Sequence, residues 1–286
     1  MRIDAHLHFW KPSCGFDNRP IADNAAYRRD FMPADVKPDL DAAGIDGAIL
    51  VQTAPQTAET DWLVDVAAHE NRILGVTGWV DLAAGPCDFA ALLARPKVVG
   101  IRAQLRRIAD DAFVAKPGVM ANLDAALSAG LSVTILAEAR HYRHVRDALP
   151  QLADGPVIVN HLALPFPDVN RDAWRATLRA FAARPRTYVQ LSGLPFLYGP
   201  QWRGADARSL LDDALAILGP QRLMFASDYP MLLRFATYAQ WVEYADAFIA
   251  AQRLPAADVE AIVSGNALRA HPRLRVPALD ASARSR

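Results

Sequence analysis

A chain of 286 residues, of which 52% are hydrophobic and 22% charged, has the composition of a folded domain with a sizeable core. Its 31 basic side chains balance 31 acidic ones, so no net charge favours nucleic acid or an anionic membrane, and a small molecule is the expected partner. Cys14 and Cys87 are too few for a disulfide framework, and neither a secretory signal nor an apolar run of about 18 residues is found, so we expect a cytoplasmic protein without a membrane span.

Short apolar runs rich in Val, Ile and Leu alternate with segments of helical period, a pattern typical of parallel strands joined by helices. About eight such pairs predict an α/β fold, a single-domain (β/α)8 barrel of the TIM type. In chain order the predicted strands are Ile3 to Phe9, Ala48 to Thr53, Ile73 to Val80, Val98 to Gln104, Ser132 to Glu138, Val157 to Leu162, Thr187 to Ser192, and Leu223 to Asp228.

Glycine residues indicate where three of the intervening helices end. Gly44, Gly130 and Gly219 each follow a segment of helical period, and glycine adopts the left-handed conformation that closes a helix without steric cost. A further helix is expected from Thr57 to Asn71, with Glu59 in its first turn, where negative charge is favourable.

Two segments depart from the barrel pattern. The connection from Lys11 to Pro33 is long for a link between a strand and a helix, so it is a candidate cover over an active site. Residues 273–286 mix Pro, Ala, Ser and Arg without a period, and we expect a poorly ordered tail there. The barrel domain is accordingly expected to span residues 1–272.

The first predicted strand carries two histidines, His6 and His8. Residues two apart on a strand project from the same face, so both imidazoles would point into the barrel at a spacing that suits one metal ion, or would simply fill a polar mouth. Asp228 ends the last predicted strand. A buried carboxylate there must be paired or bound to metal, and the alternatives to a metal are that Asp228 caps the next helix or pairs with Arg234. We predict one divalent ion, zinc as first choice, held by His6, His8 and Asp228, with Glu138 or His161 as a candidate further ligand.

Other polar side chains also end predicted strands. His161 is a candidate catalytic residue, or alternatively a hydrogen-bonded core histidine, and Glu138 could be a ligand, a base or a substrate anchor. Arg102 is suited to gripping a carboxylate or carbonyl oxygen, although a salt bridge to a strand-end carboxylate would explain it equally well. Gln52 and Trp79 could line the pocket.

The remaining histidines lie on predicted helices or near the tail. Solvated helix faces are the ordinary explanation for such residues, so we exclude them from the site. They are His69, His141, His144 and His271.

Together these motifs resemble the amidohydrolase superfamily, in particular its amidohydrolase-related family 2 and the branch of sugar-lactone hydrolases and pyrone-dicarboxylate lactonases. The likeness extends from residue 2 to about Asn266, and as a set its motifs are specific. The stretches that carry it are Arg2 to Trp10, Val51 to Ala54 with Glu59 and Thr60, Gly75 to Leu82, Gly100 to Arg102, Asn160 with His161, Leu191 to Leu194, and Arg222 to Pro230.

The resemblance implies a hydrolase that opens a lactone ring at a site built from His6, His8, His161 and Asp228, with Arg102 holding the substrate. In the expected mechanism a metal ion polarises the carbonyl, and Asp228 passes a proton from the attacking water to the departing ring oxygen. His161 would stabilise the developing oxyanion.

The substrate is further expected to contact Glu138 and Gln52. Asn160 and the run Ala226-Ser227-Asp228-Tyr229-Pro230 depart from the residues the family often has, which leaves the identity of the lactone open.

Three other functions compete with a metal-dependent lactonase. A dicarboxylate lactonase of the pyrone or muconate type could work without metal, since members of this branch do so. An aromatic acid decarboxylase is less favoured, because that group usually places a histidine on the fifth strand, where this chain has Glu138. The third is a binding protein without catalytic activity.

Overall fold

The computed structural model describes residues 1–16 and 25–275 and confirms the (β/α)8 barrel. Eight parallel strands pair in chain order, each with the next. They are β1 (Ile3–Leu7), β2 (Gly47–Val51), β3 (Ile73–Gly78), β4 (Val98–Gln104), β5 (Ser132–Leu136), β6 (Val157–Val159), β7 (Thr187–Leu191) and β8 (Leu223–Phe225).

At least one helix follows each of the eight strands. The helices are α1 (Pro33–Ala42), α2 (Thr57–Ala68), α3 (Phe89–Leu93), α4 (Pro117–Ser128), α5 (Tyr142–Ala148), α6 (Arg171–Ala183), α7 (Leu194–Tyr198), α8 (Ala205–Leu218), α9 (Tyr238–Ala251), α10 (Ala256–Glu260) and α11 (Asn266–Ala270). The predicted stops are confirmed, because Gly44, Gly130 and Gly219 follow α1, α4 and α8 with φ of 62°, 79° and 71°.

The barrel closes where β1 meets the segment that follows β8. The N–H of Asp228 donates to the carbonyl of His6 at 3.0 Å, and the N–H of His8 donates to the carbonyl of Tyr229 at 2.7 Å. The first and last strands are thus joined by a few main-chain bonds at their carboxyl ends, and not by a ladder along their whole length.

An irregular register in β1 aims the two histidines at the barrel axis. Ile3 and Ala5 belong to an apolar cluster drawn from alternate positions of β1–β4 and β6–β8, which fills the inside of the barrel. A register shift against β2 falls between Asp4 and Leu7. Such a shift re-aims the side chains beyond it, so His6 and His8 continue the inward face that Ile3 and Ala5 began.

Most predicted strands run two or three residues too far at their carboxyl ends. Trp79, Glu138, His161 and Asp228 were placed at the ends of strands but lie beyond β3, β5, β6 and β8. The backbone there leaves the ladder to form the loops of the mouth, by which we mean the carboxyl end of the barrel. The sequence pattern identifies the apolar run but does not indicate where the turn after it begins.

Part of the predicted cover over the mouth lies within the described residues. Trp10 and Phe31 exchange main-chain hydrogen bonds at 3.1 and 2.9 Å, and the Tyr27 hydroxyl donates to the carbonyl of Met231 at 2.5 Å. These contacts fix both ends of the connection against the barrel. Residues 17–24, and most of the predicted tail from 276 onward, lie outside the described part of the chain.

Within residues 1–16 and 25–275, no helix has both the length and the apolar character needed to cross a membrane. The cytoplasmic location stays a prediction from the sequence.

Candidate active site and metal centre

Three imidazoles surround one carboxylate oxygen at the mouth. Oδ1 of Asp228 lies 3.8 Å from Nε2 of His6, 3.4 Å from Nε2 of His8 and 3.6 Å from Nε2 of His161. All four side chains are buried. The structure thus brings together the four residues that the sequence placed on the first, sixth and eighth strands.

Left-handed backbone aims two of these side chains. φ is 61° at Asp228 and positive at four successive residues from His161 to Leu164, with values of 49°, 56°, 64° and 51°. Each non-glycine residue in this left-handed conformation destabilises the folded state by about 1–2 kcal/mol, and strain of this kind clusters at functional sites. Gly193 makes room for the turn, since a Cβ there would come 2.7 Å from Cβ of His161.

His8 is oriented by a main-chain carbonyl. Its Nδ1 lies 2.6 Å from the oxygen of Val51, which can only accept a hydrogen bond. Nδ1 therefore carries the proton of the neutral ring, and Nε2 presents its lone pair to the centre of the mouth.

His6 is oriented by Gln190. Oε1 of Gln190 lies 2.8 Å from Nδ1 of His6, while Nε2 of Gln190 donates to the carbonyl of Ala5 at 2.9 Å. Burial, followed by the neighbouring histidines and an arginine, lowers the pKa of His6 well below its ordinary value. The ring is therefore neutral at physiological pH.

These residues fit a single divalent ion. Nε2 of His6 and Nε2 of His8 lie only 3.0 Å apart, and two lone pairs at that distance repel unless a cation or a proton lies between them. Zinc binds imidazole nitrogen at about 2.0–2.1 Å, which is compatible with two nitrogens at this separation. Ligand atoms of His6, His161 and Asp228 also lie within 4.8 Å of one another.

His161 is held by a hydroxyl that can either donate or accept. Its Nδ1 lies 2.8 Å from Oγ of Ser192, which is fully buried after β7. Burial lowers the pKa of His161 to about 4, although the negative charge of Asp228 acts in the opposite direction. His161 is therefore a neutral group facing Asp228 at physiological pH.

Arg102 is bound through neutral oxygens. Its Nε donates to Oδ1 of Asn160 at 3.1 Å, and its Nη1 donates to the carbonyl of Gln52 at 2.9 Å. These bonds, rather than an ion pair with Glu138 or Asp228, hold the guanidinium in place. Burial lowers the pKa of Arg102 to about 10, so it remains cationic at neutral pH.

Gln52 reaches the site through its main chain. Its side-chain amide donates to the carbonyls of Ala54 and Gln56, both at 2.7 Å, inside the loop after β2. Its main-chain carbonyl accepts from Arg102 and, at 3.3 Å, from Nε2 of Gln104. Because the side chain is buried in that loop, Gln52 acts on the site through its main-chain carbonyl, which positions Arg102.

Glu59 anchors the same loop, although the sequence indicated only a favourable charge in a first helical turn. It accepts from the N–H of Thr53 at 3.2 Å, from the Thr53 hydroxyl at 2.6 Å and from the N–H of Ala54. Burial raises the pKa of Glu59 to about 7. The carbonyl of Thr53 in turn accepts from Gln104 at 3.0 Å and Arg107 at 3.2 Å.

Glu138 lies beyond β5 and pairs with two arginines. Its carboxylate is 3.2 Å from Nε of Arg106 and 2.8 Å from Nε of Arg140. Arg106 also lies over the rings of Phe166 and Phe196. These partners largely compensate the charge of Glu138, and its contact with substrate stays a prediction.

The histidines excluded from the site lie elsewhere, but two of them are not on solvated faces as expected. His141 is buried in the turn after β5, where its Nδ1 accepts from the N–H of Glu138 at 3.1 Å. His271 is buried beneath the barrel, with its Nδ1 at 3.0 Å from Oγ of Ser132. Tertiary packing buries both histidines, and their positions in the sequence did not indicate that burial.

A cavity of about 490 Å³ opens beside Arg102. Trp79, Gln104, Arg107 and Phe113 contribute to its wall. The mixture of aromatic surface with a few charged and amide groups is typical of sites for small polar molecules. Trp79 lines this cavity, whose wall includes Arg102 but none of the four side chains that meet at Asp228, so its place in the substrate pocket stays a prediction.

Sequence reasoning missed the residues that orient the histidines. Gln190 and Ser192 were not assigned to the site, and Asn160 was noted only as a departure from the family. One signal was available for Gln190: it lies in a strand that is buried throughout, and a buried amide requires hydrogen-bond partners.

Known proteins resemble this chain over nearly its whole length. A family model described as amidohydrolase matches residues 3–273. An L-fucono-1,5-lactonase from Burkholderia multivorans is 32% identical over 286 aligned residues, which cover 95% of this chain and 96% of that protein.

Solved structures share the fold. An amidohydrolase from Burkholderia multivorans with bound zinc superposes with a TM-score of 0.85 and 30% identity, covering 96% of this chain and 100% of that one. A candidate 2-pyrone-4,6-dicarboxylic acid hydrolase from Pseudomonas putida gives a TM-score of 0.73 at 21% identity, covering 93% and 96%, and this likeness shows the fold alone. The family model spans every strand that carries a site residue, and the chain belongs to the amidohydrolase family.

Proposed function

We propose that this enzyme opens the ring of a sugar-acid lactone with water, and that L-fucono-1,5-lactone is the first substrate to test. The observation that carries the proposal is the convergence of His6, His8 and His161 on Asp228, beside the buried cation of Arg102. The relative from Burkholderia multivorans, 32% identical over nearly all of this chain, supports the choice of substrate.

We assign His6, His8 and Asp228 as ligands of one divalent ion, with zinc as the first candidate. Both histidines direct an Nε2 lone pair to the centre of the mouth, next to the Asp228 carboxylate. When bound, such an ion polarises a carbonyl group and makes hydroxide available near neutral pH.

The protein side chains handle the protons. Asp228 takes a proton from the attacking water and delivers it to the ring oxygen that leaves. We assign the Ser192 hydroxyl, 2.8 Å from Nδ1 of His161, as the donor of that bond, which places the proton of the ring on Nε2, facing the site. From there His161 donates to the oxyanion that develops on the lactone carbonyl.

Substrate is held by the cationic side of the mouth. Arg102 donates to a substrate oxygen in the cavity beside it, and in the product it pairs with the new carboxylate. Gln52 contributes by fixing Arg102 through its carbonyl. Glu138 contributes by fixing Arg106, whose charge acts on His161.

A pH-indicator screen tests the proposal directly. The purified protein is offered L-fucono-1,5-lactone, other sugar lactones, and pyrone or muconate lactones, each with and without added zinc and after exhaustive chelation. Metal-dependent acid release from a sugar lactone supports the proposal. Metal-independent release from dicarboxylate lactones alone replaces it with a metal-free lactonase.

Two further results would remove lactone hydrolysis altogether. Release of carbon dioxide from an aromatic acid would establish a decarboxylase. Tight binding across the lactone panel without acid production would establish a binding protein.

A further inference from the structure

Two buried side-chain amides connect Arg102 to His6. Nε of Arg102 donates to Oδ1 of Asn160 at 3.1 Å, and Nδ2 of Asn160 donates to Oε1 of Gln190 at 2.7 Å. The same oxygen of Gln190 lies 2.8 Å from Nδ1 of His6. Asn160 and Gln190, here called the amide pair, are both buried.

The groups at the two ends determine which way each amide points. A guanidinium can only donate, so Asn160 turns its oxygen to Arg102 and its nitrogen to Gln190. The carbonyl of Ala5 can only accept, so Gln190 turns its nitrogen to Ala5. The Gln190 oxygen must then face Nδ1 of His6, where it favours a proton.

His6 nevertheless has a second tautomer with partners of its own. With the proton on Nε2, His6 would donate to Nε2 of His8 at 3.0 Å, and its Nδ1 would accept from Nδ2 of Asn160 at 3.1 Å. In that state the lone pair of Nδ1 would face the Gln190 oxygen at 2.8 Å. This repulsion penalises the second tautomer, and Gln190 is its source. The first tautomer has a penalty in metal-free protein, because the Nε2 lone pairs of His6 and His8 then lie 3.0 Å apart, and a bound cation removes that penalty.

We propose that Asn160 and Gln190 are positioning residues that keep the proton of His6 on Nδ1 and so direct its Nε2 lone pair to the ion. Because Asn160 is held by Arg102, the guanidinium that binds substrate and the imidazole that binds metal belong to one hydrogen-bonded chain. The inference deepens the proposed function and rests on its metal site. Loss of such an outer partner typically lowers metal affinity by about 10–100-fold.

The test compares Gln190→Leu with Gln190→Glu and with a control. Gln190→Leu removes the acceptor that faces His6, whereas Gln190→Glu keeps an acceptor there. Asn266→Leu is the control, because Asn266 is a buried amide that donates to the carbonyls of Pro220 and Leu223 at the start of β8, away from the mouth. Zinc affinity is measured by competition with a chelating dye, and circular dichroism checks that each variant is folded.

The tautomer of His6 is read separately, in metal-free protein labelled with 15N-histidine. Protonated and unprotonated ring nitrogens differ in 15N chemical shift, and His6 is assigned by the signals lost in His6→Asn. We expect a larger fraction of the Nδ1–H tautomer in the wild type, in Gln190→Glu and in Asn266→Leu than in Gln190→Leu. Zinc affinity should fall about 10–100-fold in Gln190→Leu only.

A metal-free wild type with no detectable Nδ1–H tautomer overturns the inference, as does a Gln190→Leu variant with an unchanged tautomer fraction and unchanged zinc affinity. If Gln190→Leu does not fold, loss of the Nδ1–H tautomer in the conservative Gln190→Glu variant overturns it equally. Failure of the wild type to bind zinc or to hydrolyse lactones would refute the proposed function instead, and the metal-free tautomer would still decide the role of the amide pair.

Discussion

The main-chain N–H of Asp228 donates to the carbonyl of His6 at 3.0 Å, so the barrel closes at two of the residues that carry the proposed chemistry. This bond sets the Asp228 carboxylate beside the imidazoles without any side-chain contact being required. A substitution that keeps the backbone of Asp228 should therefore leave the closure intact while altering the reaction.

Asp228→Asn tests the role of the carboxylate. The amide has nearly the same size but cannot accept the proton from water, so kcat for lactone hydrolysis should fall by about 10²–10⁴-fold. Turnover is followed with a pH indicator, and thermal unfolding checks the fold. Asp212→Asn, at a half-exposed position on α8, is the control and should keep wild-type turnover. Full activity in Asp228→Asn would remove this residue from the mechanism.

Arg102→Lys tests the geometry of the cation. Lysine keeps the charge, but its single ammonium group cannot reproduce the forked bonds to Asn160 and Gln52. We expect kcat/KM to fall by about 10–100-fold, the equivalent of one lost hydrogen bond to a charged group. Steady-state kinetics measure this change, with Arg203→Lys on the exposed surface as the control. Equal kinetics for both variants would contradict substrate binding by Arg102.

Gly193→Ala tests the left-handed turn at His161. The new Cβ would lie 2.7 Å from Cβ of His161, at a position with φ of 86° that alanine rarely adopts. Stability should fall by about 1–3 kcal/mol because of the strained backbone, and kcat should fall with it because His161 is displaced. Denaturant unfolding and initial rates are the measurements.

Gly118→Ala provides the control for that substitution. Gly118 is in the first turn of α4, without a positive φ and with nothing within 4 Å of an added Cβ. It should keep wild-type activity and gain up to about 1 kcal/mol in stability. If Gly193→Ala behaved in the same way, the turn would not depend on glycine.

His271 should make the protein less stable in acid. Burial lowers its pKa from about 6.5 to about 3, so between these values the unfolded chain binds a proton that the folded chain does not. The free energy of unfolding should therefore decrease as pH falls below about 6.5, by about 1.4 kcal/mol per pH unit in the limit. Urea unfolding between pH 7 and pH 4 measures this slope.

His271→Gln removes that titration and should flatten the acid side of the stability profile relative to the wild type. His69→Gln, which changes an exposed histidine, should follow the wild-type profile. Parallel profiles for the wild type and His271→Gln would show that His271 does not couple folding to pH.

The barrel and the positions of its polar strand ends could be predicted because they depend on local patterns. Apolar runs alternating with helical segments predict parallel strands, and the carboxyl ends of such strands meet at one mouth whatever the loops do. His6, His8, His161 and Asp228 were identified in this way. The predicted strand limits were less accurate, because β6 ends at Val159 and β8 at Phe225, before the left-handed residues His161 and Asp228, and residue type alone does not indicate those turns.

The sequence by itself therefore determined the fold and the set of groups gathered at the mouth, since both follow from residue type and period. Only the tertiary structure decided how those groups are held: Arg102 by neutral oxygens, Gln52 through its carbonyl, and His6 by Gln190, which is 184 positions away in the chain. The physical reason is that a hydrogen bond depends on direction as well as proximity. Direction is set by partners that are distant in the sequence and meet only when the barrel closes.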